Sequence, residues 1–199
     1  RCIERVKQAL DNTEGAVMAS ARVTDPQGKD LFSYWTLLPL WKDLLDTGLI
    51  TRRLFKDMLN TPPYRLPNAG DEGSRLVDAV PGSFFMLKPG LLTPQDIEGL
   101  FDSRIFLYYE EKVLGRKFQE MGLKTVLVTD ESYVHAHSAT IDKSLKRMVD
   151  KQRLLHQSKL YYYREYLHAG PALMAAAGVA LDIILAEVWF LTVVCRMRW

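Results

Sequence analysis

The stretch FLYYEEKVLGRKFQEMGLKTVLV, residues 106–128, decides the fold of this chain. An apolar aromatic run leads into an amphipathic helical pattern that begins near Glu110 and ends at Gly122, a residue suited to a helix stop. Its apolar residues recur on one face: Leu114, Phe118 and Met121. The following KTVLVTD has the composition of a buried strand. This order of helix and strand predicts one repeat of a layered α/β fold.

The preceding sequence continues the same alternation. RCIERVKQAL reads as a helix in progress with a stop near Gly15, and GAVMASARV reads as a buried strand that ends in the turn DPQG. Because the chain opens in mid-helix and without an initiator methionine, we expect it to continue upstream. The sequence therefore predicts an α/β domain from its first residues.

Irregular segments interrupt this alternation. Residues 31–60 are predicted to be irregularly helical, and residues 61–73, rich in proline and glycine, to form a long loop. RLVDAVPGSFFMLK reads as a strand broken at Pro81-Gly82, where a glycine allows close approach of a ligand or another chain. TPQDIEGLF has the capping-box pattern of a short helix that begins after Thr93.

The bulk composition excludes several classes of protein. A chain of 199 residues makes one domain, or one domain with an appendage. Its formal net charge of +2 and the lack of any RNA-binding or phosphate-loop signature predict no nucleic-acid partner. The two cysteines, Cys2 and Cys195, form neither a disulfide framework nor a CxxC metal spacing, so a reducing compartment is expected.

The composition changes beyond residue 142. Residues 143–168 contain seven Lys or Arg against two acids, with three consecutive tyrosines at 161–163, which predicts a basic, aromatic helix. The next stretch, PALMAAAGVALDIILAEVWFLTVVC, is long enough to span a bilayer, but Asp182 and Glu187 would each cost about 2.5–3.5 kcal/mol near its centre. We therefore predict a helix at the membrane interface, or packed on the domain or a partner.

Three features are candidates for chemistry. The acid pair Glu110–Glu111 is either a solvated helix cap, favoured by about 0.3–1 kcal/mol through the helix dipole, or a base in a cleft. His135 and His137 share a face if the strand continues, as divalent-metal ligands would, but the sequence offers no third ligand. The bend at Gly82 is either a bulge or a substrate cradle.

Together these features resemble the inverting glycosyltransferases of family two, in the branch that builds bacterial cell-surface polysaccharide. The resemblance covers residues 1–141. It lies in an ordered set of motifs: DPQG, VPGSFF, FDSRIFLYYEEKVLGRKFQEMGLKT and SYVHAHS. It implies a partial GT-A fold, a Rossmann-like nucleotide-sugar transferase domain, followed by C-terminal helices. It places the acceptor-side half in residues 1–142 and a helical tail in residues 143–199.

The resemblance also implies roles for individual residues. Glu111 would be the general base that deprotonates the acceptor hydroxyl, and Glu110 would position the acceptor or the base. Gly82 and Ser83 would line the cleft that holds sugar and acceptor, with Phe106 and other aromatics limiting water. The remaining implied contacts are Tyr109 and Arg116 to substrate, and His135, or alternatively His137, to the metal or diphosphate.

The implied activity is transfer of a hexose or rhamnose from a nucleotide-sugar donor to a glycan or lipid-linked acceptor, usually with Mg²⁺ or Mn²⁺. The basic and apolar tail would hold the chain at the inner, cytoplasmic face of the bacterial membrane. The chain departs from the family pattern by a glutamate at 111, where many relatives have aspartate, and by lacking an Asp-x-Asp motif. We therefore expect the nucleotide-binding half to precede this chain. The alternative is a non-catalytic, membrane-peripheral interaction module.

Overall fold

The computed structural model describes residues 1–59, 73–105, 107–136 and 147–196. These residues divide into two compact units. The first, here called the sheet unit, comprises residues 1–37, 73–103 and 110–136. The second, the helical unit, comprises residues 38–59, 104–109 without residue 106, and 147–196.

The described elements are a mixture of helices and strands. In chain order they are α1 (Cys2–Asn12), β1 (Ala16–Thr24), α2 (Leu40–Thr47), α3 (Leu49–Leu54), α4 (Lys56–Leu59), β2 (Ser74–Val77), β3 (Met86–Leu87), a 3₁₀ turn (Pro89–Leu91), α5 (Pro94–Glu98), α6 (Glu110–Glu120), β4 (Lys124–Val134), α7 (Met148–Glu165), α8 (Pro171–Trp189) and a π-helical turn (Phe190–Val194). The predicted mixed α/β class is confirmed.

A four-stranded sheet of order β2-β4-β1-β3 is the centre of the sheet unit. The two central strands, β1 and β4, are parallel, and the short edge strands β2 and β3 are antiparallel to their neighbours. Residues 16–21 of β1 are all buried, as is typical of a central strand covered on both faces. The apolar runs GAVMASARV and KTVLV predicted these two central strands.

Helix α6 covers the sheet with Leu114 and Phe118, which pack with Leu127 of β4 in one hydrophobic cluster. Gly122, with a φ of +71°, ends the helix as predicted, and the Leu123 N–H then donates to the Phe118 carbonyl at 2.8 Å. Met121 is 39% exposed, contrary to the predicted apolar face, because the helix ends one residue before it.

Helix α6 also lies unusually close to the chain that follows β2. A Cβ atom at Gly115 would stand 2.3 Å from the Asp78 carbonyl oxygen and 3.1 Å from the Ala79 Cβ. Ala79 in turn forms an isolated bridge with Trp35. The absence of a side chain at Gly115 therefore sets how near α6 approaches the sheet.

Three other sequence predictions can be compared with the fold. The DPQG turn closes with a 2.9 Å hydrogen bond from the Gly28 N–H to the Asp25 carbonyl, and α5 has the predicted capping box at Thr93. In the predicted helical segment 31–60, helix begins only at Leu40. The predicted loop 61–73 lies outside the described residues except for Gly73.

The helical unit joins α2, α3 and α4 to the C-terminal helices. Asp43 of α2 is 1% exposed, and its carboxylate bonds the Lys159 ammonium of α7 at 2.6 Å. The structure therefore groups residues 38–59 with α7 and α8, whereas the predicted division placed them in the first domain. The predicted boundary after residue 142 itself lies outside the described residues.

The helix predicted to be basic and aromatic is α7, and part of that face is buried. Tyr162 is 1% exposed, Tyr163 is 0% exposed and Lys159 is 3% exposed, so these side chains form the core of the helical unit and do not face lipid headgroups. The predicted Lys143 and Lys146 lie outside the described residues.

Candidate functional site

The acid pair stands at the first turn of α6, and its two members differ in environment. Glu110 is exposed, whereas Glu111 is partly buried. The Gly82 N–H donates to the Glu111 Oε1 atom at 3.4 Å. This contact joins the predicted base to the predicted bend, although 28 residues separate them in the sequence.

The bend beside Glu111 is fastened to both central strands. The hydroxyl groups of Ser83 and Tyr133 lie 2.6 Å apart, and Tyr133 belongs to β4. The Ser20 hydroxyl on β1 donates to the Phe84 carbonyl at 2.7 Å. The bend thus has a defined position relative to the acid, with Gly82 and Ser83 themselves exposed.

Glycine at position 82 keeps a side chain away from the Glu111 carboxylate. A Cβ atom added there would stand 3.7 Å from the Glu111 Oε1 atom, in ordinary van der Waals contact, so a side chain would lie against the carboxylate. The sequence predicted that Gly82 allows another group to approach the backbone closely, and in the structure the Glu111 carboxylate lies beside it.

The electrostatics of Glu111 are unusual for a glutamate. Burial, and to a smaller degree the negative charge of Glu110, together raise its pKa from 4.5 to about 7. The Gly82 N–H and the Lys112 ammonium oppose this shift by favouring the charged form. A carboxylate whose pKa lies near neutrality can both accept and hold a proton under physiological conditions, which is what a general base requires.

Tyr133 belongs to the site and was not predicted. Burial raises the pKa of its phenol, so the hydroxyl stays neutral and shares a hydrogen bond with the Ser83 hydroxyl. Nothing in the sequence distinguishes the tyrosine of SYVHAHS from the other aromatic residues that lie in strands. Only the pairing of β4 with β1 and the position of the bend bring it to Ser83.

Of the two predicted metal-binding histidines, His135 lies among the described residues. His135 follows β4, and its backbone N–H donates to the Thr24 carbonyl at 2.9 Å. His137 lies outside the described residues. Within residues 1–59, 73–105, 107–136 and 147–196, no group of three or more His, Cys, Asp or Glu side chains could hold a metal ion. The described donors therefore do not fit Mg²⁺ or Mn²⁺, which need several oxygen ligands.

Arg116 is not brought to the acid. At about 100° per residue it lies about 140° around α6 from Glu111. One of its Nη atoms donates to the Gln119 Oε1 atom at 2.9 Å, in the same helix, and its Nε is buried without a hydrogen-bond partner in the described chain. A phosphate contact for Arg116 stays a prediction.

Tyr109 belongs to the helical unit. It is 7% exposed, and its hydroxyl donates to the Asp43 carboxylate, an arrangement that leaves the phenol in a core and not on a substrate surface. Its φ of +73°, and the φ of +65° at Tyr108, are left-handed conformations that non-glycine residues rarely adopt. Phe106, predicted to limit water at the base, lies outside the described residues.

A buried charge cluster in the helical unit was also missed by sequence reasoning. The Asp43 carboxylate accepts hydrogen bonds from Lys159 and Tyr163, each at 2.6 Å, as well as from Tyr109. The Lys159 ammonium stands 4.9 Å from the centre of the Tyr109 ring. Nothing in the spacing of these residues could pair an aspartate with a lysine 116 positions later.

Comparison of the chain with protein-family models, with curated proteins and with solved structures finds no match. The geometry of Glu111, Gly82, Ser83 and Tyr133 is therefore the evidence from which a function can be argued.

Proposed function

We propose that this chain is the acceptor-side part of an inverting, family-two glycosyltransferase with a GT-A fold, and that Glu111 is its general base. The observation that carries the proposal is the position of the Glu111 carboxylate against the Gly82 N–H, with a pKa of about 7. A solvated helix cap would be expected to keep the ordinary acidity of a glutamate.

In the proposed reaction, Glu111 accepts the proton of an acceptor hydroxyl while that oxygen attacks the anomeric carbon of a nucleotide sugar. The new carbon–oxygen bond forms as the bond to the diphosphate breaks, and the bonding electrons leave with the nucleoside diphosphate. Attack from the face opposite the leaving group inverts the anomeric centre. Base catalysis of this kind contributes about a hundred- to ten-thousandfold in rate.

The bend supplies the acceptor side of the proposed cleft. Gly82 leaves the carboxylate reachable, and the paired hydroxyls of Ser83 and Tyr133 offer hydrogen-bonding groups suited to a sugar. We place donor binding, and any Mg²⁺ or Mn²⁺ that the reaction needs, on residues other than those described, because the described donors do not make a metal site.

The proposal is tested by sugar transfer in the full reading frame that encodes this chain. Glu111→Gln is expected to reduce kcat by at least about a hundredfold while leaving nucleotide-sugar binding nearly unchanged, because the amide cannot accept the proton. Glu120→Gln, which changes an exposed acid at the other end of α6, is the matched control and should retain most of the activity. Turnover by Glu111→Gln at the wild-type rate would exclude Glu111 as the base.

A second candidate function is a membrane-peripheral module without catalysis. One described helix, Pro171–Val194, is long and apolar enough to cross a membrane, and only 22% of its most apolar window is buried. We propose membrane association, at the inner face of a bacterial membrane, for either function. Failure of the full reading frame to transfer any sugar, together with vesicle binding by this chain, would favour the module.

A further inference from the structure

Helix α8 is apolar apart from Asp182 and Glu187, yet only one face of it is covered. The covered face is a single stripe: Ala177, Leu181, Ile184 and Val188. Val179, Ile183 and Phe190 on the other side are 61%, 65% and 51% exposed. A helix that is apolar all round normally lies in a protein core or in lipid. The exposed side of α8 therefore needs a second apolar environment.

The acid that interrupts this apolar helix is used by a neighbouring helix. The Ile50 N–H, in the first turn of α3, donates to the Glu187 Oε1 atom at 2.8 Å. Gly48 also lies close, since a Cβ there would stand 3.4 Å from Glu187 and from Ile184. Because α3 is tied to the side of α8, lipid cannot surround α8 as it surrounds a spanning helix. This geometry favours a helix that lies along a membrane surface.

Helices α3 and α4 add a second set of exposed apolar side chains beside the same point. Ile50 is 53% exposed and Leu54, one turn further along α3, is 71% exposed. Phe55 and Met58 follow at 42% and 41%. These are large apolar side chains on short helices. Each Å² of apolar surface that they leave in water costs about 25 cal/mol of free energy.

The two apolar patches adjoin through Glu187. At about 100° per residue, Ile183 and Phe190 lie within about 40° and 60° of Glu187 around α8. Ile50 is hydrogen-bonded to Glu187 itself. Asp182 lies about 100° from Ile183, at the margin of the exposed face, where its carboxylate can stay in water. The exposed side chains of α3 therefore continue the exposed face of α8.

The charge around this patch identifies the partner. Helices α3 and α4 carry three cations, Arg52, Arg53 and Lys56, against one acid, Asp57, and Arg52 is paired with Asp46 of α2 at 3.1 Å. Basic residues contribute about 1 kcal/mol each near an anionic lipid surface.

We infer that α3, α4 and the exposed face of α8 form one docking surface for an anionic membrane, with α8 lying in the plane of the headgroups. The apolar side chains of this docking surface enter the lipid, and the cations meet phosphate groups at its edge. The inference deepens the membrane association proposed above and does not require Glu111 to be catalytic.

The test is co-sedimentation of the whole chain with phosphatidylcholine vesicles, with and without phosphatidylglycerol. Leu54→Gln/Phe55→Gln changes the docking surface, and Ile97→Gln/Phe101→Gln is a matched control in the sheet unit, where both residues are similarly exposed at 47% and 62%. Circular dichroism checks that each variant is folded. Arg53→Gln/Lys56→Gln tests the electrostatic contribution separately.

The wild-type chain and the control pair should bind anionic vesicles equally, and Leu54→Gln/Phe55→Gln should bind at least tenfold more weakly. Arg53→Gln/Lys56→Gln should lose about twenty- to thirtyfold on anionic vesicles, the equivalent of about 1 kcal/mol for each cation, and little on neutral ones. Bound chain should be released by an alkaline carbonate wash.

Three outcomes would overturn the inference. Unchanged binding by Leu54→Gln/Phe55→Gln would remove α3 and α4 from the surface. Resistance to the carbonate wash would show a spanning helix. Self-association of the chain without vesicle binding would assign the same patch to a protein partner. None of these results depends on sugar transfer, so this inference and the proposed function can fail separately.

Discussion

Replacement of Glu111 by glutamine should stabilise the sheet unit at alkaline pH. The folded chain holds the Glu111 proton with a pKa of about 7, against 4.5 for a free glutamate. At about 1.4 kcal/mol for each tenfold change in proton affinity, ionising this buried carboxyl costs the folded state about 3 kcal/mol. Glutamine is neutral at every pH and avoids that cost, so the gain at pH 8 should approach about 3 kcal/mol.

The sign of this effect depends on pH. Because the pKa of Glu111 is raised on folding, the protonated carboxyl favours the folded chain fully below pH 4.5, and this contribution is lost as the pH rises through about 7. Glu111→Gln should therefore be close to wild type at pH 4 and more stable at pH 8. A solvated helix cap predicts the opposite, a loss of about 0.3–1 kcal/mol at pH 8, because the helix dipole favours a charged acid there.

Urea unfolding at pH 4 and pH 8, monitored by the hydrogen exchange of amides in β1 and β4, measures the free energy of unfolding of the sheet unit. Glu110→Gln is the control. Glu110 is exposed, and its charge is a smaller cause of the Glu111 shift than burial, so this variant should gain much less. Equal or lower stability of Glu111→Gln relative to wild type at pH 8 would show that the Glu111 charge does not destabilise the folded chain.

Three further predictions concern packing and charge. Gly115→Ala should lower the free energy of unfolding by about 1–3 kcal/mol, because the new Cβ would clash with the Asp78 carbonyl. Gly178→Ala, in open space on α8, should raise the free energy of unfolding by about 0.5–1 kcal/mol. Urea unfolding measures both changes. Lys159→Met should cost about 3–5 kcal/mol by leaving the Asp43 carboxylate buried without its cation, and a thermal melt that matches wild type would contradict this. Burial lowers the pKa of His156 to about 4, so the neutral imidazole stabilises the folded chain fully above pH 6.5 and this stabilisation is lost as the pH falls towards 4. His156→Gln should therefore reduce the loss of stability in acid by up to about 3 kcal/mol. Parallel curves of stability against pH for the variant and the wild type would contradict this prediction.

The elements that the sequence predicted well have local causes. Continuous apolar runs predicted β1 and β4 because central strands are buried on both faces. Gly122 and the Thr93 capping box predicted helix ends because each satisfies backbone groups within one turn. Local chemistry of this kind can be read from neighbouring residues alone.

The elements that the sequence did not predict depend on distant partners. Asp43 and Lys159 look like solvated charges on amphipathic helices, and only the packing of α2 on α7 makes them a buried pair. Tyr162 and Tyr163 are also buried, although the sequence predicted only that they belong to a basic, aromatic helix. Within the site, the acid, the bend and its glycine were predicted, whereas Tyr133 was not, because strand register determines which strand aromatic reaches Ser83.

The raised pKa of Glu111 is the central claim, and it can be measured directly. Titration of the glutamate side-chain carboxyl carbons by NMR, with Glu111→Gln used to assign the resonance, gives the midpoint for this one group. We expect a midpoint near 7, and the midpoint should fall modestly in Glu110→Gln. A midpoint near 4.5 would show a solvated carboxylate at a helix start and would contradict the assignment of Glu111 as a general base.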